Sequence, residues 1–309
     1  MKRHLISFNV MMLTAMVAII ALCGFAAAQE KSIKMSTTTS TRDSGLLDVL
    51  LPAFEKDTGI AVHVIAKGTG AAIRDGMDGN VDIIFVHAIG LEKQIVADGY
   101  GMRRYPVMHN DFVVVGPADD PAGIAGMSQA GPALEKIAES DAVFVSRGDE
   151  SGTHVKEQEL WRAAGVALKT QTREYATAGK TVTKSVVAPA DMNDRYLSIG
   201  QGMGATLTLT AEKQAYTLAD RGTYLEYKLG RDSGLDLDSL CEGDPILATP
   251  YGIIPVSPDK HPHVKYDMAR QLAEWITSPK GQTMIAEYKI HGQTLFFPDA
   301  VVGEAEKKQ

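Results

Sequence analysis

The chain of 309 residues carries two cysteines, Cys23 and Cys241, and the first falls in a leader that the sequence marks for removal. A single remaining cysteine forms no internal disulfide, so the fold must rest on its core. Long apolar runs are equally scarce. The stretch 10–25 is apolar, and no later segment is apolar enough to span a bilayer. That run follows Lys2 and Arg3 and ends in Ala26-Ala27-Ala28, the pattern of a signal peptide over residues 1–28. It is short for a membrane anchor, and Leu22 before Cys23 is not the small residue that lipid attachment prefers. Internal repeats are missing, and low-complexity sequence is confined to the leader and the charged tail 304–309.

Basic charge is the next thing in short supply. Removing Lys2 and Arg3 leaves 29 basic residues against 38 acidic, a net charge of −9. Such a balance argues against nucleic acid and anionic membrane surfaces as partners. It also means that an anion would have to be held by local dipoles and one or two buried cations, not by the overall field.

What is present is an alternation of strands and helices. Residues 32–36 read as a strand and 44–57 as a helix, with Leu46, Leu47, Leu50, Leu51 and Phe54 at helical spacing and Gly59 as its stop. A β-branched strand follows at 60–66, a short helix at 70–78 and a buried strand at 81–86. This βαβαβ order predicts a parallel sheet with helices on both faces. A second unit has a strand at 112–117, a helix at 131–140, a strand at 142–146 and a helix at 152–164. A helix over 204–218, a strand within 247–256 and closing helices at 264–277 and 279–288 complete the reading. The two long apolar strands, far apart in sequence, suggest crossing strands between two lobes. Lobe one would be 29–111 plus 252–309 and lobe two 112–251, with a ligand cleft between them. One large α/β domain is the alternative.

Three strand-to-helix junctions carry candidate chemistry. The first, Thr37-Thr38-Thr39-Ser40-Thr41-Arg42-Asp43, offers five consecutive hydroxyls where a helix begins. An ordinary N-cap needs one; a run of donors beside free helix amides suits an oxyanion. Asp43 is expected to cap its helix. The second, Lys67-Gly68-Thr69-Gly70, lets backbone amides approach an anion, and a plain turn has the same sequence. The third is Arg147-Gly148-Asp149-Glu150-Ser151-Gly152-Thr153-His154. Arg147 supplies a fork of donors, Asp149 can fix its plane, and Ser151, Gly152 and Thr153 open a helix. Strand ends of an open α/β sheet share one crevice, so all three junctions would converge on it.

Arg147-x-Asp149-x-Ser151-Gly152-Thr153 resembles the signature of periplasmic phosphate-binding proteins. With the Thr-Thr-Thr-Ser start at Thr37 to Ser40, Val86-His87-Ala88, Gly202-Met203-Gly204 and the segment 216–224, the chain is most similar to the tungstate-binding proteins of ABC transporters, the TupA family. The resemblance implies a type II periplasmic binding fold, α/β in two lobes joined by hinge strands, and a protein without enzymatic activity. It implies oxyanion contacts at Thr38, Thr39, Ser40, Gly68, Thr69, Arg147, Ser151, Gly152 and Thr153, without direct metal ligands or a cofactor. The expected ligand is tungstate, with molybdate possible; the expected partners are a membrane permease and its ATPase, and the expected state is a periplasmic monomer. Phosphate or sulfate transport is the alternative. Phosphate keeps a proton near neutral pH and benefits from a carboxylate acceptor, whereas the strand 81–86 runs into His87-Ala88-Ile89 with no carboxylate. Asp82 at the beginning of that strand and Asp43 beside the hydroxyl run are the other carboxylates that could accept.

A hydrolase is the rival class, since Ser151, His154 and Asp149 lie close in sequence. No Gly-x-Ser-x-Gly elbow and no Walker motif accompanies them. His261 and His263 flank Pro262 and read as a turn rather than a metal site. His87 is a lone histidine that could face the cleft. The aromatic segment 216–227 is expected to pack in a core.

Overall fold

The computed structural model describes residues 31–300 apart from 150, 178, 179 and 233. The leader 1–28 and the tail 304–309 lie outside the described residues.

The first half of the chain builds β1 (Ser32–Thr38), α1 (Thr39–Asp43), α2 (Leu46–Thr58), β2 (Ala61–Lys67), α3 (Thr69–Met77), β3 (Ile83–Val86), α4 (Ile89–Ala97) and β4 (Tyr105–Gly116). β1 pairs in parallel with β2 on one side and β3 on the other, as the βαβαβ pattern predicts. Both faces of this sheet are covered. Ile83 and Phe85 face a core shared with Leu46, Leu50 and Phe54 of α2, while Ile84 and Val86 face a second core with Ile73 and Ile95. The two-residue period of the strand sends alternate side chains to opposite layers. α2 ends at Gly59, whose φ of 70° is the left-handed conformation a glycine adopts most readily.

The middle of the chain builds α5 (Ala130–Glu139), β5 (Phe144–Ser146), α6 (Gly152–Ala163), β6 (Leu168–Thr177), β7 (Lys180–Pro189), β8 (Tyr196–Ser198), α7 (Met203–Glu212), β9 (Thr217–Asp220), α8 (Arg221–Leu229) and β10 (Asp238–Cys241). Then β11 (Ala248–Pro255) returns to the first sheet, and α9 (Tyr266–Ile276) and α10 (Pro279–Glu287) pack against it. The central sheet runs β10-β4-β11-β3-β1-β2, with β9 also on β4. β4 and β11 are antiparallel partners from Tyr105 to Asp111, and they are the two strands that cross between lobes. Two hydrophobic cores draw on residues within 33–108 and 251–296, and two draw on residues within 112–247.

The structure corrects the sequence reading in the middle of the chain. The helix expected over 204–218 stops at Glu212. Gln214 turns left-handed at φ 49°, and Thr217 to Asp220 form β9 against β4. The strand expected from 112 begins seven residues earlier, at Tyr105. The hairpin β6–β7, the short strands β8 and β10, and the helices α4 and α8 were not anticipated. Tyr216 and Tyr224 are buried, as expected of a core segment.

Candidate functional site

β2, β1 and β3 lie side by side, with Thr38 level with Lys67, so the three segments that follow them leave from one edge. That edge faces a cleft of about 1040 Å³. Ser40, Asp43, His87 and Leu91 line one wall, and Arg147, Gly152, Thr153 and Lys156 line the other. The crossing strands supply the floor through Asn110, Phe112, Thr249 and Tyr251. The start of α8, with Gly222 and Thr223, closes the back.

The hydroxyl run divides its labour. Thr37 is buried and donates to the Phe85 carbonyl at 2.6 Å. Thr38 is the N-cap of α1, accepting from the Thr41 amide at 3.2 Å, and also contacts Thr41 Oγ1 at 2.6 Å. Thr39 and Ser40 are exposed, and Ser40 reaches the cleft. The expectation for Asp43 is corrected: Thr38 holds the cap, and Asp43 at the other end of α1 pairs with Arg42 at 2.7 Å. The helix that Asp43 is expected to cap, α2, begins at Leu46, with the left-handed Gly45 at its N-cap and no side chain capping it.

On the facing wall, Arg147 donates from Nε and Nη2 to Asp149 Oδ2 at 3.1 and 2.5 Å and from Nη1 to Thr153 Oγ1 at 3.3 Å. The guanidinium plane is therefore fixed from both sides. Burial alone would raise the Asp149 carboxyl; hydrogen bonds from Ser151 and Arg147, with the Arg147 charge, hold it below its ordinary value. Ser151 caps α6, accepting from the His154 amide at 3.3 Å. Gly152 and Thr153 thus occupy the first helical positions, where amides lack intrahelical acceptors and favour an anion.

The second junction sits beside these. Gly68 precedes α3 as its extended N-cap, exposed, with Thr69 half-buried, and neither residue is part of the cleft lining. Asp82, at the far end of β3, accepts from the Lys34 and Lys265 amides, both at 2.7 Å. His261 and His263 hold the Met77 and Gly79 carbonyls at 2.8 Å, each in the turn before α9. His87 does reach the cleft, and its ring lies 4.7 Å from that of Tyr251.

The acidic composition is reconciled locally, because the lining carboxylates have partners of their own. Glu159 pairs with Lys156 at 2.8 Å and Glu226 with His291 at 2.9 Å. Asp220 accepts from the Thr223 amide and hydroxyl at 2.9 and 2.8 Å.

A cleft between two α/β lobes, with donors from strand ends on both walls, finds its counterpart among known proteins. The PBP superfamily domain matches residues 26–280. Tungstate-binding protein TupA of Peptoclostridium acidaminophilum is 43% identical over 318 residues, covering 97% of this chain and 99% of the relative. The chain belongs to the TupA family. The solved tungstate-binding protein TupA from Desulfovibrio alaskensis superposes with a TM-score of 0.77 at 43% identity, covering 87% of this chain and 99% of that one. The crystal structure of the tungstate ABC transporter from Geobacter sulfurreducens gives 0.63 at 48% identity, over 84% and 99%. Membership settles the fold as a two-lobed periplasmic binding protein. The sequence does not show the floor of this cleft: Asn110 and Thr249 stand opposite each other in the β4–β11 register. Single polar residues inside strands carry no local signal, and only the pairing of two distant strands brings them together.

Proposed function

We propose that the chain is an exported solute-binding protein that captures a tetrahedral oxyanion, tungstate first and molybdate also, and delivers it to the permease and ATPase of an ABC transporter. It acts as a monomer without enzymatic activity, dividing into lobes at 111/112 and 251/252. Thr38, Thr39 and Ser40 would serve from one lobe and Arg147, Ser151, Gly152 and Thr153 from the other, with Gly68 and Thr69 contributing from the neighbouring turn outside the present lining. The observation that carries this reading is the Arg147 fork, held by Asp149 and Thr153 beside the start of α6, facing Ser40 across one cleft. Tungstate and molybdate are fully deprotonated near neutral pH and need donors alone. Asp82 is spent on two amides, and His87 occupies the place after β3 where a carboxylate acceptor would favour phosphate. Ser151 is engaged as a helix cap, which speaks against a nucleophile.

Hydrogen bonds to a charged group contribute roughly 1.5–3 kcal/mol each. Six to eight of them can offset desolvation and leave nanomolar binding, about −12 kcal/mol. Calorimetric titration with tungstate, molybdate, sulfate and phosphate tests the reading. Tight binding of tungstate with phosphate silent is expected; binding of phosphate alone would replace it. Arg147→Glu is expected to weaken tungstate binding by about 2–5 kcal/mol while the thermal midpoint stays near that of the parent.

A further inference from the structure

His87 sits at the end of β3 with its Nε2 3.3 Å from Thr38 Oγ1 and 3.4 Å from Ser40 Oγ. Those two oxygens are themselves 3.1 Å apart, so the three atoms form a closed triangle at the edge of the cleft. The ring is backed by Tyr251, which is buried on the crossing strand β11 at the point where its register with β4 shifts. On the side away from the cleft, Thr41 Oγ1 lies 2.6 Å from Thr38 Oγ1.

Resting on the oxyanion reading above, we propose that His87 is a positioning residue: its Nε2–H fills the inner acceptor sites of Thr38 and Ser40 and so turns the Ser40 hydroxyl proton out towards the anion. Thr38 is engaged on the buried side, whereas Ser40 is exposed to the cleft. Thr38 Oγ1 accepts from the Thr41 amide at 3.2 Å and shares its shortest contact, 2.6 Å, with Thr41 Oγ1 on the buried side. Ser40 is then the hydroxyl whose proton has a choice between an inner acceptor and the cleft. With the proton on Nδ1, the bare Nε2 draws the Ser40 proton inward, and the wall loses a donor. With the proton on Nε2, the ring donates inward and Ser40 donates outward. Burial lowers the His87 pKa, against the opposite pull of a hydrogen bond to its own backbone, and so favours a neutral ring with one of these two tautomers. A bound anion without protons favours the second. An anion that carries a proton, such as hydrogenphosphate, needs an acceptor and meets a wall of donors. The histidine thereby contributes to selectivity through Ser40, without a ligand contact of its own.

The test is a double-mutant cycle read by calorimetry with sodium tungstate and sodium phosphate. Wild type, His87→Phe, His87→Gln, Ser40→Ala and the Ser40→Ala/His87→Phe double variant are titrated, each with a thermal melt. Phe keeps the ring against Tyr251 and removes the donor; Gln keeps a donor. His87→Phe is expected to lose about tenfold in tungstate affinity, equivalent to about 1.4 kcal/mol, and to raise the phosphate-to-tungstate affinity ratio. His87→Gln is expected to retain most of the affinity. In the Ser40→Ala background, His87→Phe is expected to cost nothing further, which a merely structural role for the ring would not produce. Unchanged tungstate affinity in His87→Phe, or losses that simply add to those of Ser40→Ala, overturns the inference while leaving the oxyanion reading in place. A wild type that binds no oxyanion overturns that reading, and this inference with it. Should His87→Phe not fold, His87→Leu takes its place in the same cycle.

Discussion

Asp149 places a negative charge within 2.5 Å of Arg147, the cation proposed to meet the anion. A site that worked by net charge alone would improve if that carboxylate were neutralised. A site that works by orientation would get worse, since ordering a long side chain on binding costs about 0.5–1.5 kcal/mol. The geometry favours orientation: Asp149 and Thr153 grip the guanidinium from two sides, and the side chain is 16% exposed. Asp149→Ala is therefore expected to weaken tungstate binding several-fold, and titration at low salt checks the sign. Tighter binding would mean that the local field outweighs the fixed plane. At this scale the sequence was informative about residue types and less so about direction. The run Thr37 to Thr41 announced donors, but strand geometry turns Thr37 onto the Phe85 carbonyl and α1 buries Thr41. A run of like residues does not say which of them face inward.

Among the elements, α6 joins the site to the core of its lobe. Thr153 lies at its start, and one turn later Glu157 is buried beside Trp161 and Tyr196. The Tyr196 hydroxyl donates to Glu157 at 2.6 Å and the Trp161 indole N–H at 3.1 Å. Burial pushes the Glu157 carboxyl up to about 7 from an ordinary 4.5, and the two donors only partly offset it. Below the ordinary value both folded and unfolded chains hold the proton, and this group contributes nothing adverse. Between 4.5 and about 7 the unfolded chain releases the proton while the folded chain keeps it, so stability falls as pH rises. Above that window the full penalty applies, on the order of 3 kcal/mol. Glu157→Gln is expected to flatten this part of the stability profile. Urea midpoints at pH 5 and pH 8 provide the comparison, and equal slopes in parent and variant would contradict it.

The elements also show where local reading stops. The first lobe was legible because its helices and strands keep clean periods and conventional stops, as at Gly59. α4 was missed because its N-cap is Ala88, and the missing cap is replaced from inside the helix by Glu92, which accepts from the Ala88 amide at 2.5 Å. The break between α7 and β9 lies at Gln214, a left-handed residue that composition does not flag. The hairpin β6–β7 alternates few apolar residues, because its strands pair with each other outside the central sheet. The early part of β4 was hidden by His109-Asn110-Asp111. These polar residues sit where the strand passes between lobes, and each has a place there: His109 on Asp299, Asn110 on the cleft floor and Asp111 on Arg221.

At the scale of the whole molecule, the cleft is far larger than a five-atom anion requires. Its volume of about 1040 Å³ is at the upper end of pockets that enclose drug-sized ligands. On the proposed function, the donors of the two walls would meet one oxyanion through an approach of the lobes. Side chains above the site support that motion. Ile89 and Leu91 on one wall and Val155 on the other are 42%, 51% and 52% exposed, and all three line the cleft. Closure would bury them over the anion and exclude water, strengthening each charged hydrogen bond beneath. Burying part of a valine contributes on the order of 1 kcal/mol. Val155→Asp is expected to lower tungstate affinity roughly tenfold with the unfolding midpoint little changed. Small-angle scattering should show the parent contracting on addition of tungstate and the variant contracting less. Full contraction in Val155→Asp with affinity intact would mean that the lobes close on the anion without needing an apolar seal.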